Sequence, residues 1–289
     1  MCIRDRQRNI SAGGYDDNYF IYYGNPSAGE PPKNASNVFE FYDDFDDGDI
    51  SDWSSFDATI TAYTLSGRKT LRLLPGSLSN YKHLAIPNAC NVSLENYTIE
   101  AEIYDENSAG SVFFHYANDS NWWSLELYVG GNRDIFRPYI NNADQGWVYT
   151  HTPVSIQNNQ WYRIKVNVFP DRYEMYIDNV LKWSQNVESQ YQFSGYNKVG
   201  FVEHRGYGPF YADFIFVRKY FSPEPTLTLG NEEVRIPWWD QNYKCRMQVN
   251  ITNNNLTETL EEGYSINITI DTASLYSQGR LLANGNDLR

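Results

Sequence analysis

The sequence predicts an all-β protein built around an antiparallel β-sandwich. Three observations carry that expectation. Alternating polar and apolar runs recur at short intervals, with Gly, Asn, Asp and Pro between them. No segment sustains a 3.6-residue apolar period long enough for a helix. Aromatic residues make up 16% of the 289 positions, 24 of them Tyr, an excess that suits pleated strands and sugar-facing surfaces.

Taken in order, residues 19–23 form a Tyr-rich strand, followed by a linker over residues 25–36 that holds Pro26, Pro31 and Pro32. In the central segment, residues 97–104 alternate Ile99, Ala101 and Ile103 against Thr98, Glu100 and Glu102, the period of a half-buried strand. Further strand signals lie at 111–116, 122–129, 161–169, 172–177, 180–184, 198–203 and 211–220, with Asp178-Asn179 as a tight hairpin turn between two of them. Ser222-Pro223-Glu224-Pro225 and Gly230-Asn231-Glu232-Glu233 then separate this segment from a unit opening at Trp238-Trp239. The predicted division is 1–37, 38–229 and 230–289.

Bulk chemistry narrows the function. A formal charge of -13 leaves no electrostatic footprint for nucleic acid or an anionic membrane surface. Cys2, Cys90 and Cys245, odd in number and far apart, support neither a disulfide framework nor a zinc site. No apolar stretch approaches the roughly 20 residues of a membrane helix, and residues 1–14 lack the apolar middle of a signal peptide. Sequons at Asn9, Asn34, Asn91, Asn96, Asn118, Asn250, Asn255 and Asn267 instead suit an exported chain, although an Asn-rich sequence yields such triplets by chance equally well. The expectation is an extracellular, cell-surface location, with leader and anchor outside this fragment.

Several short pieces agree in order and spacing: Phe41-Tyr42-Asp43-Asp44-Phe45 with Trp53; Ser111-Val112-Phe113-Phe114-His115-Tyr116; Asn121-Trp122-Trp123-Ser124-Leu125-Glu126-Leu127; Trp161-Tyr162-Arg163-Ile164-Lys165-Val166; Tyr176-Ile177-Asp178-Asn179; and Ala212-Asp213-Phe214-Ile215-Phe216-Val217. Together they resemble the concanavalin A-like lectin/glucanase superfamily, in its laminin-G-like and keto-glycoside-hydrolase-like branches. The resemblance implies a jelly roll, a fold that hosts lectins, adhesins, hydrolases and spacers alike. The flanks, Asp17 to Pro26 at one end and Trp238 to Arg289 at the other, resemble a domain of unknown function found in tandem in archaeal and bacterial surface proteins. That resemblance implies incomplete parts of two neighbouring repeats, the last of one copy and the first of the next.

For catalysis, the Glu-x-Asp-x-x-Glu strand of laminarinase-type hydrolases is absent. Its nearest substitutes are Glu100 and Glu102 on one strand and the lone Glu126 on another. Glycoside hydrolysis needs two carboxyl groups facing one bond, and an alternating solvated strand face explains Glu100 and Glu102 equally. His115 stands where the keto-glycoside-hydrolase-like branch carries Arg, which removes a bidentate fork. For binding, Trp122 and Trp123 are strand neighbours, so one faces inward and the other outward. Tyr128, Arg137, Tyr139 and Trp147, with Asn141, Asn142, Asp144 and the loop at 130–134, supply stacking and hydrogen-bonding groups of the kind sugar sites use.

Calcium is the expected cofactor. Asp43, Asp44, Asp46, Asp47, Asp49 and Asp52 crowd one loop, whose oxygens suit a hard cation or water alone. By resemblance Asp213 matches the last-strand Asp that binds a structural calcium in glucanases. The expected function is a carbohydrate-binding or adhesion module whose partners are a cell-surface glycan and neighbouring repeats. A structural spacer and a concanavalin-like glycoside hydrolase are the alternatives.

Overall fold

A computed structural model describes residues 2–5, 8–29, 35, 38–76, 83–106, 109–192, 198–204, 208–234, 240 and 242–289, with side chains from residue 8 onward. Pro31, Pro32, Asn34, Trp238 and Trp239 lie outside the described residues. The strands run β1 (Cys2–Asp5), β2 (Tyr15–Tyr23), β3 (Phe41–Asp43), β4 (Trp53–Phe56), β5 (Ala58–Leu65), β6 (Arg68–Pro75), β7 (His83–Pro87), β8 (Tyr97–Asp105), β9 (Ser111–Asn118) and β10 (Asn121–Tyr128). They continue as β11 (Arg133–Ile140), β12 (Ala143–Asp144), β13 (Trp161–Val168), β14 (Arg172–Ile177), β15 (Val180–Asn186), β16 (Lys198–Glu203), β17 (Phe210–Lys219), β18 (Thr226–Val234), β19 (Cys245–Thr252) and β20 (Ser265–Ile268). One short helix, α1 (Thr272–Ser277), is capped by the Asp271 carboxylate, which accepts from the Ser274 amide at 2.9 Å.

The chain divides into two compact units, Phe39–Tyr220 and the two flanks together. The first is an antiparallel sandwich. One sheet has the order β12-β11-β10-β9-β16-β7-β4; the other has β15-β14-β13-β8-β17-β6-β5, with β3 also on β17. Alternation on β8 and β13 sends Ile99, Ala101, Ile103, Ile164 and Val166 into the core, where they meet Val112, Phe114, Trp123, Leu125 and Phe136 from the opposing sheet. Each such Ile, Val, Leu or Phe side chain taken from water contributes about 1.5–3 kcal/mol. Two-residue turns set the hairpin registers. Asp178 and Asn179 have φ of 49° and 64°, and Asn141 and Asn142, between β11 and β12, have 51° and 64°. Paired positive φ values are the I′ geometry that matches strand twist, and Asn and Asp tolerate it. At Gly200 on β16 a Cβ would lie 2.4 Å from the Ala85 carbonyl oxygen, so only glycine lets these strands approach so closely.

The second unit joins segments far apart in sequence. β2 pairs with β19 in the register Tyr23↔Cys245 and Tyr19↔Val249, and β19 pairs with β18. Ile21, Tyr23, Val249, Ile251, Leu260 and Tyr264 close a core of their own. The flanks, expected as parts of two separate repeats, here complete one another. The boundary expected at 229 falls inside β18, because Leu227 and Leu229 pack on the flank core and the chain leaves the sandwich at Tyr220. The expected linker at 230–233 is a register shift within β18. Cys90 and Cys245 are free thiols, each buried in a different core. Among the described residues no helix is long and apolar enough to cross a membrane.

Candidate functional site

β10 organises most of the residues singled out from sequence. Trp123, Leu125 and Leu127 enter the sandwich core. Trp122, Ser124, Glu126 and Tyr128 point to the other face of the sheet, where their partners on β11 are Tyr139, Arg137, Ile135 and Arg133. The alternation is as expected, yet both tryptophans are fully buried. Trp122 stacks on Tyr139 with ring centroids 4.1 Å apart and planes 13° from parallel. Both belong to a second apolar cluster with Leu84, Phe113, Tyr116 and Val202. Trp123 donates its indole N–H to the Tyr191 carbonyl at 2.9 Å and meets His115 edge-on at 4.3 Å. His115 lies at φ 51°, with Nε2 3.0 Å from the Phe169 carbonyl. Burial lowers its pKa to about 4, so the ring is neutral at pH 7. None of Trp122, Trp123, Tyr139 and His115 has an exposed ring face to offer a ligand.

Beside them lies a buried charged network. Arg137 Nε donates to Glu126 Oε1 at 3.1 Å, one terminal nitrogen donates to Asp144 at 2.6 Å, and the other meets His204 Nε2 at 3.0 Å. Since guanidinium only donates, His204 Nε2 accepts, which leaves the ring proton on Nδ1, 3.5 Å from Glu126 Oε2. The Ser124 hydroxyl also donates to Glu126, at 3.0 Å. Burial pushes the Glu126 pKa up to about 7, against the opposing pull of Arg137.

This network fixes the chain that leaves β12. Asp144, held by Arg137, accepts from the Gly146 amide at 2.7 Å and so orders the turn that carries Trp147. Past that turn, Phe136 and Val148 exchange backbone bonds with Tyr149 and Phe136 at 2.9 and 3.1 Å. Buried Asp134 then holds His151 at 3.0 Å through Nδ1, while His151 stacks on Trp183 at 5.1 Å. Burial raises the Asp134 pKa to about 6, and the bonds from His151 oppose the rise.

Trp147 itself is 42% exposed. Its ring lies 6.3 Å from that of Tyr128, and the Arg133 guanidinium sits 5.6 Å from its centroid. Arg133 donates to the Gly131 carbonyl at 3.2 Å and has no carboxylate partner among the described residues. The result is an aromatic shelf with an uncommitted cation at the end of the β10–β11 hairpin. Of the residues expected to bind a ligand, Tyr128 and Trp147 stand at this surface, whereas Arg137 acts from beneath through Asp144.

The remaining acids lie elsewhere. Glu100 and Glu102 project from the outer face of the eight-stranded sheet, with the core between them and Glu126. Glu100 is clamped by Arg163 at 2.6 Å and Arg218 at 3.1 Å, and Glu102 pairs with Arg68 at 2.8 Å. Asp213 shares that same Arg68 at 3.1 Å. Asp43 accepts from the Trp53 indole at 2.7 Å and the Phe45 amide at 2.8 Å, and Asp44 accepts from Tyr42 and the Asp46 amide. Lys69 donates to the Asp46 carbonyl. Among the described residues no three His, Cys, Asp or Glu side chains converge on one point. Arg68 pairs with Asp213, and Lys69 reaches the Asp46 carbonyl in the loop where a calcium ion was expected.

No pattern in the sequence singles out His204 or His151. Only the fold brings His204 within reach of Arg137, 67 residues away.

No family model matches the chain, and no curated protein matches it. Solved structures do. A carbohydrate-binding module, CBM66 from Bacillus subtilis, aligns over 58% of this chain and 92% of its own at 17% identity, with a TM-score of 0.41. A family 16 endo-glucanase from Bacteroides ovatus aligns over 61% of this chain and 99% of its own at 12% identity, with a TM-score of 0.45. The chain spans 41% of a third, the GH43 protein BlXynB from Bacillus licheniformis, over 68% of its own length at 12% identity and a TM-score of 0.45.

Proposed function

We propose that the sandwich unit is a carbohydrate-binding module of an extracellular surface protein, and that it takes its glycan on the Trp147 shelf. The observation that carries this is an exposed indole held beside Tyr128 and under Arg133 by a turn anchored to a buried ion network. Indole and phenol faces pack against the C–H face of a pyranose, and a fixed shelf loses little entropy on binding. Arg133, beside the Trp147 ring, offers N–H donors for ring hydroxyls.

Hydrolysis is the weaker alternative, because Glu126 has no exposed atom and Glu100 and Glu102 occupy the opposite outer face. A pure spacer would need no exposed aromatic shelf. The test is a glycan array followed by titration calorimetry on wild type and Trp147→Ala. Binding to a neutral oligosaccharide that falls at least tenfold in the variant, with unchanged Tm, supports the proposal. No glycan bound, or an affinity indifferent to Trp147, overturns it.

A further inference from the structure

The outer face of the eight-stranded sheet carries a second arrangement with the marks of a binding site. On adjacent strands the register aligns Trp161, Tyr104, Tyr211, Arg72 and Thr61 across β13, β8, β17, β6 and β5. Five strands at about 4.8 Å spacing make this row about 19 Å long. Neighbouring rings touch: Trp161 and Tyr104 lie 5.3 Å apart, Tyr104 and Tyr211 5.8 Å, and Tyr211 and Tyr63 5.5 Å. Tyr63, diagonal to Arg72, is 42% exposed.

Arginines on this face differ in one respect. Arg68, four residues before Arg72 on the same strand face, is neutralised by Glu102 and Asp213. Arg163 and Arg218 share Glu100. Arg72 has the Tyr63 ring 5.0 Å from its Cζ and no hydrogen-bond or ion-pair partner among the described residues. Its Nε is buried without an acceptor. The nearby Glu106 carboxylate is engaged by the Tyr211 hydroxyl at 3.0 Å. An unpaired guanidinium in a chain of net charge -13 leaves charge-assisted donors idle, and such a fork matches a carboxylate in two-point geometry.

We propose that this face binds a glycan bearing a carboxylated pyranose, with the carboxylate on the Arg72 fork and the sugar ring against Tyr63. It shares with the proposed module function only the assumption that the ligand is a sugar, and uses none of the Trp147 shelf. A carboxylate is favoured over a neutral sugar because Arg72 is the cation of its row that no acid neutralises. It is favoured over a polyanion because the surrounding acidic surface repels extended negative charge.

The test is calorimetric titration of the whole chain with methyl galacturonoside, methyl glucuronoside and sialyllactose, each carrying one carboxylate and each beside its neutral methyl ester. The expected result is binding of at least one acid, at least tenfold weaker for its ester, with weakening at raised ionic strength. Arg72→Gln abolishes it, Arg72→Lys retains part of it, and Tyr63→Ala weakens it, all with thermal unfolding as in wild type. Should Arg72→Gln fail to fold, Arg72→Lys and Tyr63→Ala carry the test alone. Neutral-glycan binding, where Trp147→Ala removes it, persists in Arg72→Gln, so the two sites fail separately. No binding of any of the three acids, equal binding of acid and ester, or affinity unchanged by both Arg72→Lys and Tyr63→Ala overturns the proposal.

Discussion

Replacing Glu126 by Gln keeps the shape of the side chain and removes its charge, and its consequence for stability depends on pH in a way the structure dictates. Burial raises the Glu126 pKa from an ordinary 4.5 to about 7 in the folded protein. Below pH 4.5 both states hold the proton and the group is neutral to stability. Between 4.5 and 7 the unfolded chain releases its proton while the folded one keeps it, so unfolding is progressively favoured. Above 7 the penalty is complete and constant. At about 1.4 kcal/mol for each tenfold change in proton affinity, the total is about 3 kcal/mol. Gln cannot titrate, and whatever it loses in bonding to Arg137 it loses at every pH. Urea denaturation followed by tryptophan fluorescence, run on both proteins from pH 4.5 to 8, isolates the effect as the change in their difference. The variant gains about 3 kcal/mol relative to wild type as pH rises across that range. A difference that stays flat, or that moves in favour of wild type, refutes the reasoning by showing that Arg137 stabilises the carboxylate more than burial penalises it.

Other perturbations test other parts of the structure. Since Arg68 and Lys69 occupy the cation positions around Asp213 and Asp46, chelation with EDTA leaves the Tm of the sandwich unit within a degree of its starting value by calorimetry; a drop of several degrees would restore calcium. Gly200→Ala drives a methyl group to 2.4 Å from the Ala85 carbonyl and 2.6 Å from the Phe113 ring, and lowers the unfolding free energy by about 1–3 kcal/mol in the same denaturation assay. Deleting residues 1–38 removes β2 and with it Ile21 and Tyr23 from the flank core. Limited proteolysis then cuts within 221–289 while 39–220 survives; protection of both would show that β18 and β19 fold without β2.

Much of the sandwich is legible in the sequence. The runs at 97–104, 172–177 and 198–203 coincide with β8, β14 and β16 to within a residue, because each alternates under one buried face or is bounded by turn residues whose backbone demands are local. Asp178-Asn179 declares its turn for the same reason. β11 instead reads from sequence as a polar stretch of ligand groups. Arg137 and Asp134 break its apolar pattern, and the partners that satisfy them, Glu126 and His151, become neighbours only after folding. The two tryptophans show a related limit. Alternation assigns Trp122 and Trp123 opposite directions, but it does not reveal that β10 is covered on both sides, so a residue that points outward is not thereby exposed. Trp147 lies outside the strands, past β12, and is 42% exposed although Val148 and Tyr149 after it pack against the core. The flanks are the least legible, because β2 and β19 are more than 220 residues apart and β19 is the one strand that β2 pairs with among the described residues.

That long-range pairing also decides where mechanical load would travel. β2 precedes the sandwich unit in the chain and β19 comes after it, and the two are hydrogen-bonded side by side, so tension on the chain passes directly from one strand to the other. In connectivity the sandwich is a slack side branch of this ladder. A glycan could pull on its surface, yet a stretched backbone would not strain the sandwich until the β2–β19 ladder had been peeled apart, pair by pair, from its Tyr15↔Thr252 end.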